Sequence, residues 1–154
     1  MRSIMLKYVF FALVLTNSIA CAADSEFLPM LDHAKRLMKY KEDIGLPVMI
    51  PKNNKQLQDI FCPGQQCSVS AIYSGGTVYY DKRIDYNNNI IDRSIIIHEL
   101  IHHIQAKKYG FTFECDMWYH KERQAYKLQA DYLKSHGINT SFVNDVTASL
   151  KCPK

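Results

Sequence analysis

The 154-residue chain has no internal repeat, no low-complexity tract and no composition break that would act as a linker, which sets aside solenoids and multidomain arrays. It has no apolar run of the roughly 20 residues needed to cross a bilayer. No basic stripe stands out, so no nucleic-acid partner is expected. Setting aside residues 1–22 removes Arg2 and Lys7, and the formal charge of +4 falls to +2, with 17 basic against 15 acidic residues. No Cys-x-x-Cys pair occurs, which argues against a metal centre built from cysteines. What remains is one domain, 23–154, long enough for a single hydrophobic core.

The chain opens like an export signal. Arg2 and Lys7 precede the apolar run YVFFALVL at 8–15, and small residues follow at 18–23. Ala20-Cys21-Ala22 fits cleavage after Ala22, giving a secreted or periplasmic mature chain. Ser18-Ile19-Ala20-Cys21 is a weaker lipoprotein box, so a lipid anchor at Cys21 stays open. Both routes leave Cys62, Cys67, Cys115 and Cys152, an even set, and an uncut intracellular chain with five thiols is disfavoured. Cys62-Pro-Gly-Gln-Gln-Cys67 closes a short turn-rich loop, so the expected disulfides are Cys62–Cys67 and Cys115–Cys152.

Hydrophobic periodicity predicts helices over 28–42, 54–61, 91–109, 117–135 and 141–150. A short strand is expected at 48–50. A hairpin over 67–81 turns at Gly75-Gly76, and a third strand is expected at 84–86. The class is α+β, with a small antiparallel sheet and the helices segregated after it.

The helix over 91–109 is interrupted in a particular way. Its stretch IIIHELIHHIQ sets His98 and His102 four residues apart, hence on one side of a helix. Taking His98 as zero, His102 falls at about 40° and Glu99 near 100°, while Ile97, Leu100, Ile101 and Ile104 fill roughly 200–300°. Polar groups inside such an oily segment need partners. Two imidazoles on one face can ligate Zn²⁺, and the adjacent carboxylate can reach a water on the metal. His103, near 140°, is expected at the surface.

A catalytic zinc needs a third protein ligand. The spacing that would put a histidine at 108 is excluded, because Lys108 stands there. Glu114, Asp116, His120 and Glu122 remain. Glu122 lies at the centre of the apolar face of the next helix, with Trp118, Ala125, Tyr126, Gln129, Tyr132 and Leu133 within about 80° of it. A salt bridge would satisfy a carboxylate there. A metal explains it better, and Glu122 is the expected third ligand. Glu114 and Asp116 are expected to precede the helix, and His120 to face solvent.

HELIH, followed after nineteen residues by Glu122 in KERQAYKLQADYL, resembles the zincin metallopeptidases of the gluzincin type, and small secreted bacterial proteins built around the same motif pair. The resemblance covers about residues 77–135. It implies a minimal zincin-like fold, with zinc on His98, His102 and Glu122, Glu99 as general base, and a peptide or protein substrate beside an edge strand from the hairpin. Thermolysin-like members carry an Asp four residues after the third ligand to orient a histidine. Tyr126 stands there, so support for the histidines is unassigned. Tyr126, Tyr119 and His136 are the candidates for facing a developing oxyanion. The expected activity is that of a secreted zinc hydrolase. The rival readings are a non-catalytic zinc-binding protein and a disulfide-stabilised module that engages an envelope or host partner.

Overall fold

The computed structural model describes residues 25–111 and 114–151, so the expected signal segment, Cys21 and Cys152 lie outside the described residues. In chain order the elements are α1 (Leu28–Met38), β1 (Val48–Lys52), α2 (Asn54–Phe61), β2 (Ala71–Ser74), β3 (Thr77–Asp81), α3 (Ile90–Tyr109), α4 (Cys115–Ser135) and α5 (Ser141–Ser149). The chain is α+β, with five helices and a three-stranded sheet among the described residues.

The sheet is mixed rather than antiparallel. Its order is β1-β3-β2, with β2 antiparallel to β3 and β1 parallel to it. Gly75 and Gly76, at φ of 56° and 87°, supply the two positive-φ positions of a tight hairpin that closes on Ser74 opposite Thr77. No strand forms at 84–86: the chain turns at 82–83 instead, with the Ile84 N–H donating to the Asp81 carbonyl. The place of the expected strand is taken by β1, which crosses over through α2 and lies alongside β3. Pro51 is tolerated there because β1 is an edge strand.

Local chemistry sets the helix ends. Asn53 caps α2 in a reciprocal box with Gln56, and the Asn89 side chain accepts from the Ile91 and Asp92 N–H groups at the start of α3. Gly110, at φ 74°, ends α3. Helix α1 stops at Met38, four residues short of expectation. Lys39 turns left-handed at φ 51°, and the N–H groups of Lys39 and Tyr40 return to the carbonyls of Arg36 and Lys35. The chain then doubles back, bringing Ile44 and Leu46 onto the core. Helix α4 starts at Cys115, so Glu114 precedes it as the N-cap, as expected, whereas Asp116 lies within its first turn.

Helix α3 is the spine. It packs against α1, α4 and β2, with contacts to β3 as well, and Ile96, Ile97, Leu100, Ile101 and Ile104 are all fully or almost fully buried. Covered on several sides, it has no wet face over its middle turns. That corrects the reading of His103 as a surface residue, for it is only 3% exposed. Its Nε2–H donates to the Gly45 carbonyl at 2.9 Å, which leaves Nδ1 to accept from the Tyr73 hydroxyl at 3.3 Å. Burial lowers the His103 pKa, favouring this neutral form. Of the expected disulfides, Cys62–Cys67 is formed. The second pair includes Cys152, outside the described residues.

Because α3 carries both core and motif, its apolar contacts should dominate stability. Ile101→Ala is expected to cost roughly 2–5 kcal/mol in urea unfolding. A cost under about 1 kcal/mol would mean that α3 is not the spine of the fold.

Candidate metal centre

Three ligand-type atoms meet between α3 and α4. His98 Nε2 and His102 Nε2 are 3.0 Å apart, and the Glu122 carboxylate lies 3.5 Å from the first through Oε2 and 3.3 Å from the second through Oε1. The i, i+4 spacing on α3 brings the two imidazoles together edge to face, and Glu122 comes from the apolar face of α4, which packs against α3. Among the described residues this is the group of His, Cys, Asp and Glu side chains that converges closely enough to hold a metal ion. The other residues weighed as third ligand do not join it: Glu114, Asp116 and His120 are all exposed.

The backs of both imidazoles are fixed, and the hydrogen-bond directions can be worked out. Ser94 donates its hydroxyl to the Ile91 carbonyl, so its oxygen accepts from the Gln129 amide nitrogen at 3.0 Å. Gln129 Oε1 therefore faces His98 Nδ1 at 3.1 Å, and that nitrogen carries the proton. Likewise Gln105 donates through its amide nitrogen to the Lys121 carbonyl at 2.9 Å, so its Oε1 accepts from His102 Nδ1 at 2.8 Å. Both histidines thus hold hydrogen on Nδ1 and turn a bare Nε2 lone pair toward Glu122. Two lone pairs and a carboxylate at these separations repel unless a cation lies among them.

The residues fit zinc. Bonds of about 2.0–2.1 Å in tetrahedral geometry put ligand atoms roughly 3.3–3.4 Å apart, close to the three separations found here. Two imidazole nitrogens and one carboxylate are a donor set zinc accepts while keeping a position open. In the metal-free protein a proton takes the cation's place. Burial works to lower the His102 pKa, but the Glu122 hydrogen bond and charge outweigh it and raise the value to about 9. Burial works to raise Glu122, and the two histidines overcome it, lowering the carboxylate to about 2.

Glu99 completes the cluster from the α3 side. It is buried, and its Oε2 accepts the Tyr73 backbone N–H at 2.7 Å. Tyr126 lays its ring against His98, with centroids 4.3 Å apart. Burial, followed by the charges of Glu122 and Glu99, pushes its hydroxyl up to about 12, so it stays protonated. Of the oxyanion candidates, Tyr126 lines the cavity beside the cluster, whereas Tyr119 stacks under Arg123 and His136 packs on Tyr132 away from it. The cavity holds about 660 Å³ and is bounded by β2 and its approach, the cluster, and apolar residues of α4 and α5.

The model of a protein family described as a domain of unknown function, DUF6647, matches residues 31–153. The chain belongs to that family. The match takes in most of α1 and every later element, including all four residues of the cluster and both supporting glutamines of this DUF6647 domain. No curated protein and no solved structure matches the chain.

Gln105 and Gln129 are the residues that motif reading misses. The signal was present in the sequence: Gln129 sits on the same apolar face as Glu122, and Gln105 lies three residues beyond His102, where an uncharged polar side chain needs a reason to be buried. Gln129→Leu and Gln105→Leu should each weaken zinc binding by about ten- to a hundredfold in competition with a chelating dye. Unchanged affinity would mean that the amides only fill space.

The shifts also fix a pH dependence for the metal-free protein. His102 rises from 6.5 to about 9 on folding, so its contribution is complete below 6.5 and is lost as pH climbs through about 9. Glu122 falls from 4.5 to about 2, so its contribution is present above 4.5 and lost as pH drops toward 2. The urea midpoint of metal-free protein should therefore fall between pH 6.5 and 9, while any divalent metal that takes the proton's place should bind more tightly over the same interval. A midpoint that rises there contradicts the assignment.

Proposed function

We propose that this protein is a zinc-dependent hydrolase, a metallopeptidase of minimal zincin-like design. His98, His102 and Glu122 hold the metal, Glu99 is the general base, and the chain works outside the cytoplasm after loss of residues 1–22. One observation carries the reading. Two tautomer-locked imidazoles and a carboxylate converge at metal-ligand separations, and a second carboxylate lines the same open cavity.

Zinc bound there supplies Lewis-acid chemistry, polarising a carbonyl and acidifying water near neutral pH. The chain's own groups do the rest. Glu99, steadied at Oε2 by the Tyr73 N–H, keeps Oε1 to take a proton from the attacking water and return it to the leaving amine. Tyr126, held protonated, can donate a hydrogen bond to negative charge that develops beside His98. Strand β2 offers an edge to an extended substrate. In the hairpin register Ser74 and Ile72 point their backbone groups at β3, so those of Tyr73 and Ala71 point away from it, and the Tyr73 N–H meets Glu99.

A purely structural zinc would be closed by a fourth protein ligand. Three groups converge among the described residues, and a cavity of about 660 Å³ opens on them. That favours turnover over the non-catalytic zinc reading and over a metal-free binding module.

Elemental analysis of the purified mature protein should find one zinc per chain, greatly reduced in Glu122→Ala. Glu99→Gln should keep its zinc and lose peptide hydrolysis by at least about a hundredfold. A native protein that takes up no zinc at neutral pH would falsify the metal reading. Zinc retained in full by Glu122→Ala would show that another residue is the third ligand.

A further inference from the structure

The cavity has two chemically different walls. The charged side chains that line it, Glu99, Lys121 and Glu122, come from α3 and α4. Helix α5 and its C-cap contribute only apolar side chains: Phe142, Val143 and Val146 from the helix and Leu150 from the cap. Phe142 and Val146 are spaced by four and so share one side of the helix, and Leu150, its C-cap, lines the same cavity. Val143 is buried, with the core closing over it, and it anchors α5 against α4. Phe142 and Val146 are each 41% exposed, yet they face a cavity rather than a convex surface. Trp118 of α4 lines the same space. Helix α5 lies beyond the stretch over which the motif resemblance runs.

We propose that Phe142, Val146 and Leu150, with Trp118, form the specificity wall of the cleft. They receive an apolar side chain, aromatic or branched aliphatic, from an extended peptide lying along β2. This deepens the reading of the cavity as a substrate cleft and rests on it. The occupant follows from what shares the cavity. With the Tyr73 N–H held by Glu99, the backbone of Ala71 and the Tyr73 carbonyl form the edge that suits an extended polypeptide, and a peptide paired there lies in the space that the α5 side chains wall. A charged side chain against that wall would lose its hydration with no partner from α5, whereas an apolar one removes both surfaces from water.

Trp118 is the single tryptophan of the chain, so its fluorescence reports occupancy of the cavity without any need for turnover. The probes are blocked hexapeptides lacking Trp and Tyr, with Phe, Leu, Asp or Lys at one central position and Gly elsewhere. They are titrated into full mature protein, zinc-free and zinc-loaded. The Phe and Leu peptides should bind at least about tenfold more tightly than the Asp and Lys peptides. Phe142→Ser and Val146→Ser should each remove most of that preference while leaving far-UV circular dichroism and zinc content unchanged. Asn144→Ser, on another side of the helix, should leave it intact. Val146→Lys should shift preference toward the Asp peptide, an outcome that a folding defect would not produce. Affinity indifferent to the central side chain, no saturable response to any peptide, or full preference retained in both serine variants overturns the proposal. Apolar-selective binding without hydrolysis keeps the wall and sinks the peptidase reading. Hydrolysis with no apolar preference does the reverse.

Discussion

Two imidazole lone pairs aimed at one another across 3.0 Å, with a carboxylate beside them, are the constraint around which this domain is arranged. Neither histidine can escape by switching tautomer, because each Nδ1 is committed to a glutamine oxygen. Neither amide can flip, because its nitrogen is committed in turn to Ser94 or to the Lys121 carbonyl. The positive charge the cluster demands must therefore come from outside the covalent structure, as a proton or a metal ion. Buried polar groups left half-satisfied are destabilising, and a network closed on every side but one concentrates that demand at a single point.

The helix bearing this demand is also the centre of the core. Ile97 and Ile101 sit one residue before His98 and His102, so side chains that exclude water and side chains that want a cation alternate along the same turns. The arrangement couples stability to occupancy: whatever binds the folded cluster, and not the unfolded chain, stabilises the whole domain by mass action. The hairpin is drawn into the same system. Tyr73 reaches α3 twice, through its N–H to Glu99 and its hydroxyl to His103, while His103 is tied back to Gly45. The strand that forms one side of the cavity is thus pinned to the helix that carries His98 and His102.

Much of this was legible in the chain because periodicity speaks directly to burial. The row from Ile97 to Ile104 announced a buried helix, and the face around Glu122 announced a carboxylate turned inward, which is where both lie. Gly75-Gly76 marked the hairpin for the same local reason that it forms. What could not be read depends on neighbours distant in sequence. His103 reads as a wet residue when its helix is considered alone, and becomes a buried one only when the segment around Gly45 folds over it. The parallel pairing of β1 with β3 leaves no local signature, since a strand of five residues does not specify its partner. The early stop of α1 rests on Lys39 adopting a conformation that its side chain does not favour.

The use of amides behind both histidines has a further consequence. Carboxylates in those positions would add negative charge around the cluster and make the imidazoles stronger electron donors. Glutamine orients each ring without contributing charge. On the proposed reading, the carboxylates among the described residues that line the cavity beside a bound dication are Glu122, which binds it, and Glu99, which does not. Two single negative charges balance one double positive charge, so the centre is electrically neutral only while Glu99 is ionised. A proton that Glu99 took from bulk solvent would leave a net positive centre in a partly buried cleft, whereas one taken from a water in the same cleft leaves a hydroxide behind and the charge unchanged. The group that moves protons is in this way also the group that keeps the charge count even.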